Sequence, residues 1–195
     1  MLLCTGGCRS GKSDYARNWA EQQGATRVYM ASAYISDDTE MRLRIARHQA
    51  SRGEGWLTYE VASGEVAPGS WTDPEQLVAE ASALGDVLLF DCLTLWTALC
   101  LEHGYDEAHT LNITGRLLGA LHGCGKPVVL VTNEVGMGLV PDNALGRTFR
   151  DTAGLVNQKA ATFADAVVFM VSGLPLVVKG AFETRCVGDP PLAGS

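Results

Sequence analysis

Chemistry is concentrated at the start of the chain. Gly6-Gly7-Cys8-Arg9-Ser10-Gly11-Lys12-Ser13 fits the pattern G-x-x-x-x-G-K-[ST] with no mismatch. Leu2 to Thr5 before it reads as a short buried strand, and Asp14 to Gln23 after it as a helix. Strand, glycine loop and helix in that order are the context in which the pattern cradles a polyphosphate. The residue types follow from that task. Gly6, Gly7 and Gly11 allow positive φ and a close backbone approach to the anion. The loop N–H groups, Cys8, Arg9 and Ser10 included, and the helix N-terminus then face it. Lys12 brings an ammonium to the β/γ-phosphates and Ser13 offers a hydroxyl to Mg2+. A glycine-rich turn with a chance lysine would account for neither flank. The expected ligand is a nucleoside triphosphate.

Other positions could act with this loop. Val87-Leu88-Leu89-Phe90-Asp91 is an apolar strand ending in a carboxylate. Beside a phosphate loop such an acid helps hold Mg2+; it could also cap a helix beginning at Leu93. The segment 39–51 carries Arg42, Arg44, Arg47 and His48, with Arg52 just after. At helical spacing Arg44 and His48 lie one turn apart on one face. Arginines keep a nearby imidazole neutral and nucleophilic, and they also pair with phosphate oxygens. The alternative is an ordinary histidine on a basic, solvated helix face. Glu60 ends Leu57-Thr58-Tyr59-Glu60; it is either surface decoration or a carboxylate able to accept from guanine's ring N–H and amino group. Thr132-Asn133-Glu134-Val135-Gly136-Met137-Gly138 follows the most apolar strand. It belongs on the rim where ligands gather, or is a plain strand-to-helix turn. Asn143–Phe163, with Arg147, Arg150, Asp151, Asn157, Gln158 and Lys159, reads mostly as the solvated face of a long helix.

These groups need a scaffold. Apolar runs at 1–5, 28–32, 57–61, 87–91, 128–132, 166–171 and 176–179 alternate with helical stretches at 12–23, 38–51, 74–84, 93–102, 106–122 and 143–164. Strands separated by helices imply right-handed crossovers and a largely parallel sheet with helices on both faces. The connection Ser172-Gly173-Leu174-Pro175 is too short for a crossover, so the last two strands form an antiparallel hairpin. Gly64–Pro74 reads as a surface loop. The expected organisation is one α/β domain over 1–187 and a frayed Pro/Gly-rich tail over 188–195.

Composition narrows the function. With 47% apolar and 19% charged residues the chain is globular, not disordered. A net charge of −7 argues against a general nucleic-acid surface, so any polyphosphate must be held by a local positive site. No apolar run reaches the length of a membrane span, and the apolar start lacks the charged flank of a signal peptide. The six cysteines, Cys4, Cys8, Cys92, Cys100, Cys124 and Cys186, form no C-x-x-C pair and no zinc-type spacing. They read as thiols in a reducing cytoplasm.

Taken together, these motifs resemble the bifunctional adenosylcobinamide kinase/adenosylcobinamide-phosphate guanylyltransferase family of cobalamin biosynthesis. The resemblance runs from the phosphate loop, Thr5 to Ser13, to about Lys179. It includes Arg44-Ile45-Ala46-Arg47-His48 with Arg52, then Trp56-Leu57-Thr58-Tyr59-Glu60. Its most specific part is Val131-Thr132-Asn133-Glu134-Val135-Gly136-Met137-Gly138-Leu139-Val140-Pro141. Phe149-Arg150-Asp151, Gly154, Asn157-Gln158 and Ser172-Gly173-Leu174-Pro175 complete it. The chain departs from the pattern at Gly53, Asp91 and Gly146, where proline, glutamate and a non-glycine residue are usual.

The resemblance implies a P-loop NTPase-like fold and two reactions. The γ-phosphate of an NTP, ATP or GTP, goes to adenosylcobinamide. GMP then passes from GTP to adenosylcobinamide phosphate through a guanylyl-histidine, which would be His48. It further implies that Ala31, Ser32, Ala33, Glu60, Asp91 and the residues after His48, Gln49, Ala50, Ser51 and Arg52, contact the guanine nucleotide or its metal. A homotrimer is also implied.

Overall fold

The computed structural model describes residues 1–32, 53–61 and 73–181. In chain order the elements are β1 (Leu2–Gly6), α1 (Lys12–Gln23), β2 (Arg27–Ala31), β3 (Trp56–Glu60) and α2 (Pro74–Leu84). They continue with β4 (Val87–Asp91), α3 (Leu93–Glu102), α4 (Glu107–Gly123), β5 (Val128–Val131), α5 (Ala144–Phe163), β6 (Ala166–Val171) and β7 (Leu174–Lys179). The helix expected over 38–51, most of the loop over 64–74 and the tail over 188–195 lie outside the described residues.

One seven-stranded sheet runs in the order β3-β2-β4-β5-β1-β6-β7. Every pairing is parallel except β6 with β7. The expected α/β architecture with a terminal antiparallel hairpin is therefore what the chain adopts. Alternate residues of the central strands face opposite ways, as the two-residue period of a strand requires. Leu3, Val28, Met30, Leu88, Phe90, Val128 and Leu130 pack under α2, α3, α4 and α5. Leu2, Cys4, Val87, Leu89, Val129 and Val131 pack under Tyr15, Ala16 and Ala20 of α1. Both faces being covered explains why β4 and β5 read as unbroken apolar runs. Trp96, fully buried, stacks edge-on against Phe90 at 6.2 Å and gives its indole N–H to Thr114 Oγ1 at 2.9 Å.

The helix starts follow local rules. Asp73, Asp106 and Asn143 each cap a helix with a side-chain oxygen, and Pro74 opens α2 just behind its cap.

The last hairpin corrects the sequence reading. β7 begins at Leu174 instead of Leu176, and the connection shrinks to Ser172-Gly173. Both turn residues have positive φ, 52° and 84°, the backbone twist a two-residue hairpin requires. Pro175 sits inside β7, which is tolerated because β7 is an edge strand. Among the described residues no helix is long and apolar enough to cross a membrane.

Candidate active site at the carboxyl rim of the sheet

Parallel strands bring their carboxyl ends to one rim. In register, Glu60 of β3 pairs with Ala31 of β2, Ala31 with Asp91 of β4, Asp91 with Val131 of β5, and Val131 with Cys4 of β1. The phosphate loop opens two residues beyond Cys4. At one strand spacing per step, Asp91 is about 10 Å and Glu60 about 19 Å from β1 across the sheet. Five residues far apart in sequence thus line a single row.

The loop itself is held from both sides. Glu134 N–H donates to Gly6 O at 3.0 Å, and Gly173 N–H, from the β6–β7 turn, donates to Ser10 O at 2.9 Å. Within the loop Ser10 N–H donates to Gly7 O at 3.3 Å. Arg9 and Gly11 take left-handed φ of 55° and 92°, and α1 follows directly. Its first-turn N–H groups have no acceptor within the helix, so they face the concavity of the loop. A Cβ on Gly6 would stand 2.6 Å from Met170 O and 2.7 Å from Ser10 Oγ, so only glycine lets the loop fold back this tightly.

Two buried groups give the loop its chemistry. Lys12 is 8% exposed, and its ammonium donates to Gly7 O at 2.9 Å, across the mouth of the loop. Ser10 is equally enclosed, and its Oγ, like Thr5 Oγ1, has no hydrogen-bond partner among the described residues. Leaving a buried hydroxyl unpaired costs about 1–3 kcal/mol, which an anion seated in the loop would recover. Ser13 lies half-exposed in the first turn of α1. Cys8 and Arg9 are exposed at the loop's crest.

Of the two readings of Asp91, the helix cap is not the one α3 uses. The N-cap position of α3 is Cys92, with no side-chain capping bond. Asp91 instead accepts the Tyr29 hydroxyl at Oδ2 over 2.9 Å. Ser32 also has a definite partner. Its Oγ donates to Cys92 O at 2.8 Å and accepts Cys92 N–H at 2.6 Å, so its hydroxyl clasps the end of β2 to the β4–α3 corner. Glu60 is exposed and Ala31 is half-buried beside it. Ala33, His48, Gln49, Ala50, Ser51 and Arg52, with Arg42, Arg44 and Arg47, lie outside the described residues.

The buried thiols are inert. Burial pushes Cys4 upward, and burial with the neighbouring Asp91 carboxylate pushes Cys92 to about 12. Among the described residues no three His, Cys, Asp or Glu side chains gather into a metal cluster. Mg2+ on a nucleotide needs none, being held by one or two protein oxygens together with the phosphates.

Sequence reasoning passed over Tyr29 and Thr94 here, placed Thr132 on the rim without a partner, and read Asn157 as solvated helix face. Thr132 Oγ1 donates to Asn157 Oδ1 at 2.6 Å, Asn133 N–H donates to Thr94 Oγ1 at 2.7 Å, and Asn157 Nδ2 donates to Asn133 O at 3.1 Å. Asn157 therefore does not belong to a solvated face. A signal existed: polar side chains on an inward stripe of a helix that otherwise buries Ala153, Val156 and Ala160. Gly146 also finds its reason, since a Cβ there would lie 2.7 Å from Pro141 Cβ, and its N–H donates to Asn143 Oδ1 at 2.7 Å.

Comparison with known proteins agrees with this architecture over nearly the full chain. The family model described as cobinamide kinase / cobinamide phosphate guanyltransferase matches residues 2–178. The bifunctional adenosylcobalamin biosynthesis protein CobU of Salmonella typhimurium is 37% identical over 196 residues, covering 92% of this chain and 99% of the relative. CobU of Escherichia coli is 37% identical over 192 residues, with the same coverage. CobP of Pseudomonas aeruginosa, likewise named bifunctional, is 39% identical over 185 residues, covering 91% of this chain and 96% of the relative. With its phosphate loop, rim carboxylates and sheet accounted for over that whole span, the chain belongs to the cobinamide kinase / cobinamide phosphate guanyltransferase family.

Proposed function

We propose that this enzyme phosphorylates adenosylcobinamide with ATP or GTP and then transfers GMP from GTP to the resulting phosphate. The carrying observation is the phosphate loop: pinned on both flanks, closed over glycine, with the Lys12 ammonium and the unpartnered Ser10 hydroxyl inside it. Loop N–H groups and Lys12 bind and orient the phosphates. Ser13 and Asp91 would hold Mg2+, which when bound neutralises charge on the phosphates. Glu60, at the far end of the rim, is suited to accept guanine's N–H groups.

In the kinase step the substrate hydroxyl oxygen bonds to the γ-phosphorus, the γ-phosphorus–oxygen bond to the β-phosphate breaks, and the hydroxyl proton leaves to solvent. In the second reaction a neutral ring nitrogen of His48 attacks the α-phosphorus of GTP. A P–N bond forms, the α–β P–O bond breaks and pyrophosphate departs. An oxygen of adenosylcobinamide phosphate then displaces the histidine. Splitting the transfer in this way lets GTP react before the corrinoid arrives, and phosphoryl chemistry asks mainly for alignment and charge neutralisation.

Intact-mass measurement after incubation with GTP and Mg2+ tests this. One added GMP, absent in His48→Ala, is expected. If His48→Ala releases pyrophosphate from GTP at the wild-type rate, the histidine assignment is wrong. We also infer a homotrimer. Leu174, Leu176 and Val178 project from the edge strand β7 at 60%, 58% and 64% exposure, an apolar stripe of the kind that marks contacts between chains. A one-chain mass by light scattering would refute it.

A further inference from the structure

The hydrogen bonds around Asn133 form a closed circuit. Thr132 Oγ1 donates to Asn157 Oδ1 at 2.6 Å, so the single hydroxyl proton of Thr132 is committed. The 3.3 Å contact between Thr94 and Thr132 must then run from Thr94. Thr94 Oγ1 in turn accepts the Asn133 N–H at 2.7 Å. Asn157 Nδ2 closes the loop by donating to Asn133 O at 3.1 Å. The amide orientation of Asn157 follows, because flipping it would set its oxygen against the Asn133 carbonyl. The circuit begins and ends on one residue, and both hydroxyls sit in the interior, Thr132 at 1% and Thr94 at 7% exposure.

Its position gives it a task. Thr132 N–H donates to Cys4 O and Glu134 N–H to Gly6 O, each at 3.0 Å. Asn133 lies between these two bonds, which dock the end of β5 onto β1 where the chain enters the phosphate loop. Thr94 stands in the first turn of α3, three residues after Asp91. Asn157 comes from the middle of α5. The circuit therefore ties the Asp91 corner, the end of β5 and the loop entrance into one unit. Groups that share an ion and a phosphate must keep their separation to a fraction of an ångström.

We propose that Asn157 is a positioning residue for both reactions. Through Thr132 and Thr94 it fixes Asn133, and through the Glu134–Gly6 bond it sets where the phosphate loop leaves β1 relative to Asp91. The proposal rests on the reading that this loop holds the nucleotide phosphates.

The test compares Thr132→Val, Thr132→Ser, Asn157→Ala and the double variant Thr132→Val/Asn157→Ala in the full chain. Phosphorylation of cobinamide by ATP and pyrophosphate release from GTP are followed well below each variant's own melting temperature. Misplacement of reacting groups by about 1 Å costs on the order of a hundredfold. Accordingly, kcat for both reactions is expected to fall about ten- to a hundredfold in Thr132→Val and in Asn157→Ala, and Thr132→Ser restores most of it. A circuit broken twice is lost only once, so the double variant should be no slower than the slower single one. Losses that multiply, or unchanged kcat and KM in Thr132→Val and Asn157→Ala, overturn the proposal. If the single variants melt too low to assay, Thr94→Val opens the circuit at another link, and the same losses are expected of it. Lys12→Ala separates the two levels. If it turns over normally, the phosphate-loop reading fails; if it is inactive while Thr132→Val and Asn157→Ala are unaffected, only the positioning role fails.

Discussion

Replacing each glycine of the phosphate loop by alanine should produce three different outcomes from one chemical change. At Gly6, φ is +156°, and the new Cβ would meet Met170 O at 2.6 Å and Ser10 Oγ at 2.7 Å. The serine could rotate, but the carbonyl could not, because Gly6 and Met170 are paired in register on adjacent strands. Overpacking of this kind costs about 1–3 kcal/mol, and holding alanine at a glycine-type φ adds about 1–3 kcal/mol. At about 2–4 °C per kcal/mol for a chain of this size, Gly6→Ala should melt roughly 5–20 °C lower. Gly11 has φ +92° and a nearest approach of 3.2 Å to Gly173 Cα, so strain of about 1–2 kcal/mol dominates there. At Gly7 nothing lies within 4 Å and no positive φ is involved; alanine should change stability by no more than about 0.5 kcal/mol. Circular-dichroism melts without nucleotide give the order Gly7, Gly11, Gly6. A second melt at about a hundred times Kd of ATP should stabilise wild type by about 2.7 kcal/mol, and Gly6→Ala should lose most of that gain because Ser10 is displaced. Equal losses at Gly6 and Gly7, or a Gly6→Ala melt within about 2 °C of wild type, would refute the packing account.

Two further outcomes are expected. Among the described cysteines Cys8 is exposed, while Cys4, Cys92 and Cys100 are buried and burial holds all three thiols protonated. Iodoacetamide followed by peptide mapping should therefore find Cys8 alkylated before these three and before the half-buried Cys124, and saturating ATP should slow it about tenfold or more, since thiol reactivity follows access; an ATP-independent rate would speak against nucleotide in the loop. The second concerns the edge strand bearing Glu60. Tyr59 donates to Glu80 of α2 at 2.6 Å. Burial first, then that carboxylate, pushes Tyr59 to about 12, and the Tyr59 hydroxyl holds Glu80 below its usual range. A lowered carboxylate contributes stability above its unfolded pKa and loses it as pH falls through the folded value; a raised phenol contributes below about 10 and loses it as pH rises toward 12. The melting deficit of Tyr59→Phe should thus be widest near neutrality and narrow at both extremes; a deficit independent of pH would refute the coupling.

Much of the architecture could be read before any coordinates. The helices at 12–23, 74–84 and 93–102 begin and end where periodicity and local signals place them. Strands β4 and β5 were visible as apolar runs because both of their faces are covered. The terminal hairpin was visible in its short connection, though its register was not, since Leu174 and Pro175 look like loop until Ser172 and Gly173 supply the turn. Asn157 was misread because its neighbours Arg150, Asp151 and Lys159 are polar, and a helix face is identified by what it packs on.

The glycines, lysine and serine of the loop, and the caps at Asp73, Asp106 and Asn143, act within a few residues of themselves. Their conformational demands are therefore written into consecutive letters, and the ligand class could be inferred from those alone. The strand order β3-β2-β4-β5-β1-β6-β7, the row Glu60–Ala31–Asp91–Val131–Cys4 and the circuit through Thr94, Thr132 and Asn157 join segments that are tens of residues apart. Nothing local selects such partners. They are chosen when burying both faces of the sheet forces each strand into register, which leaves every buried hydroxyl and amide to find the nearest group that can satisfy it.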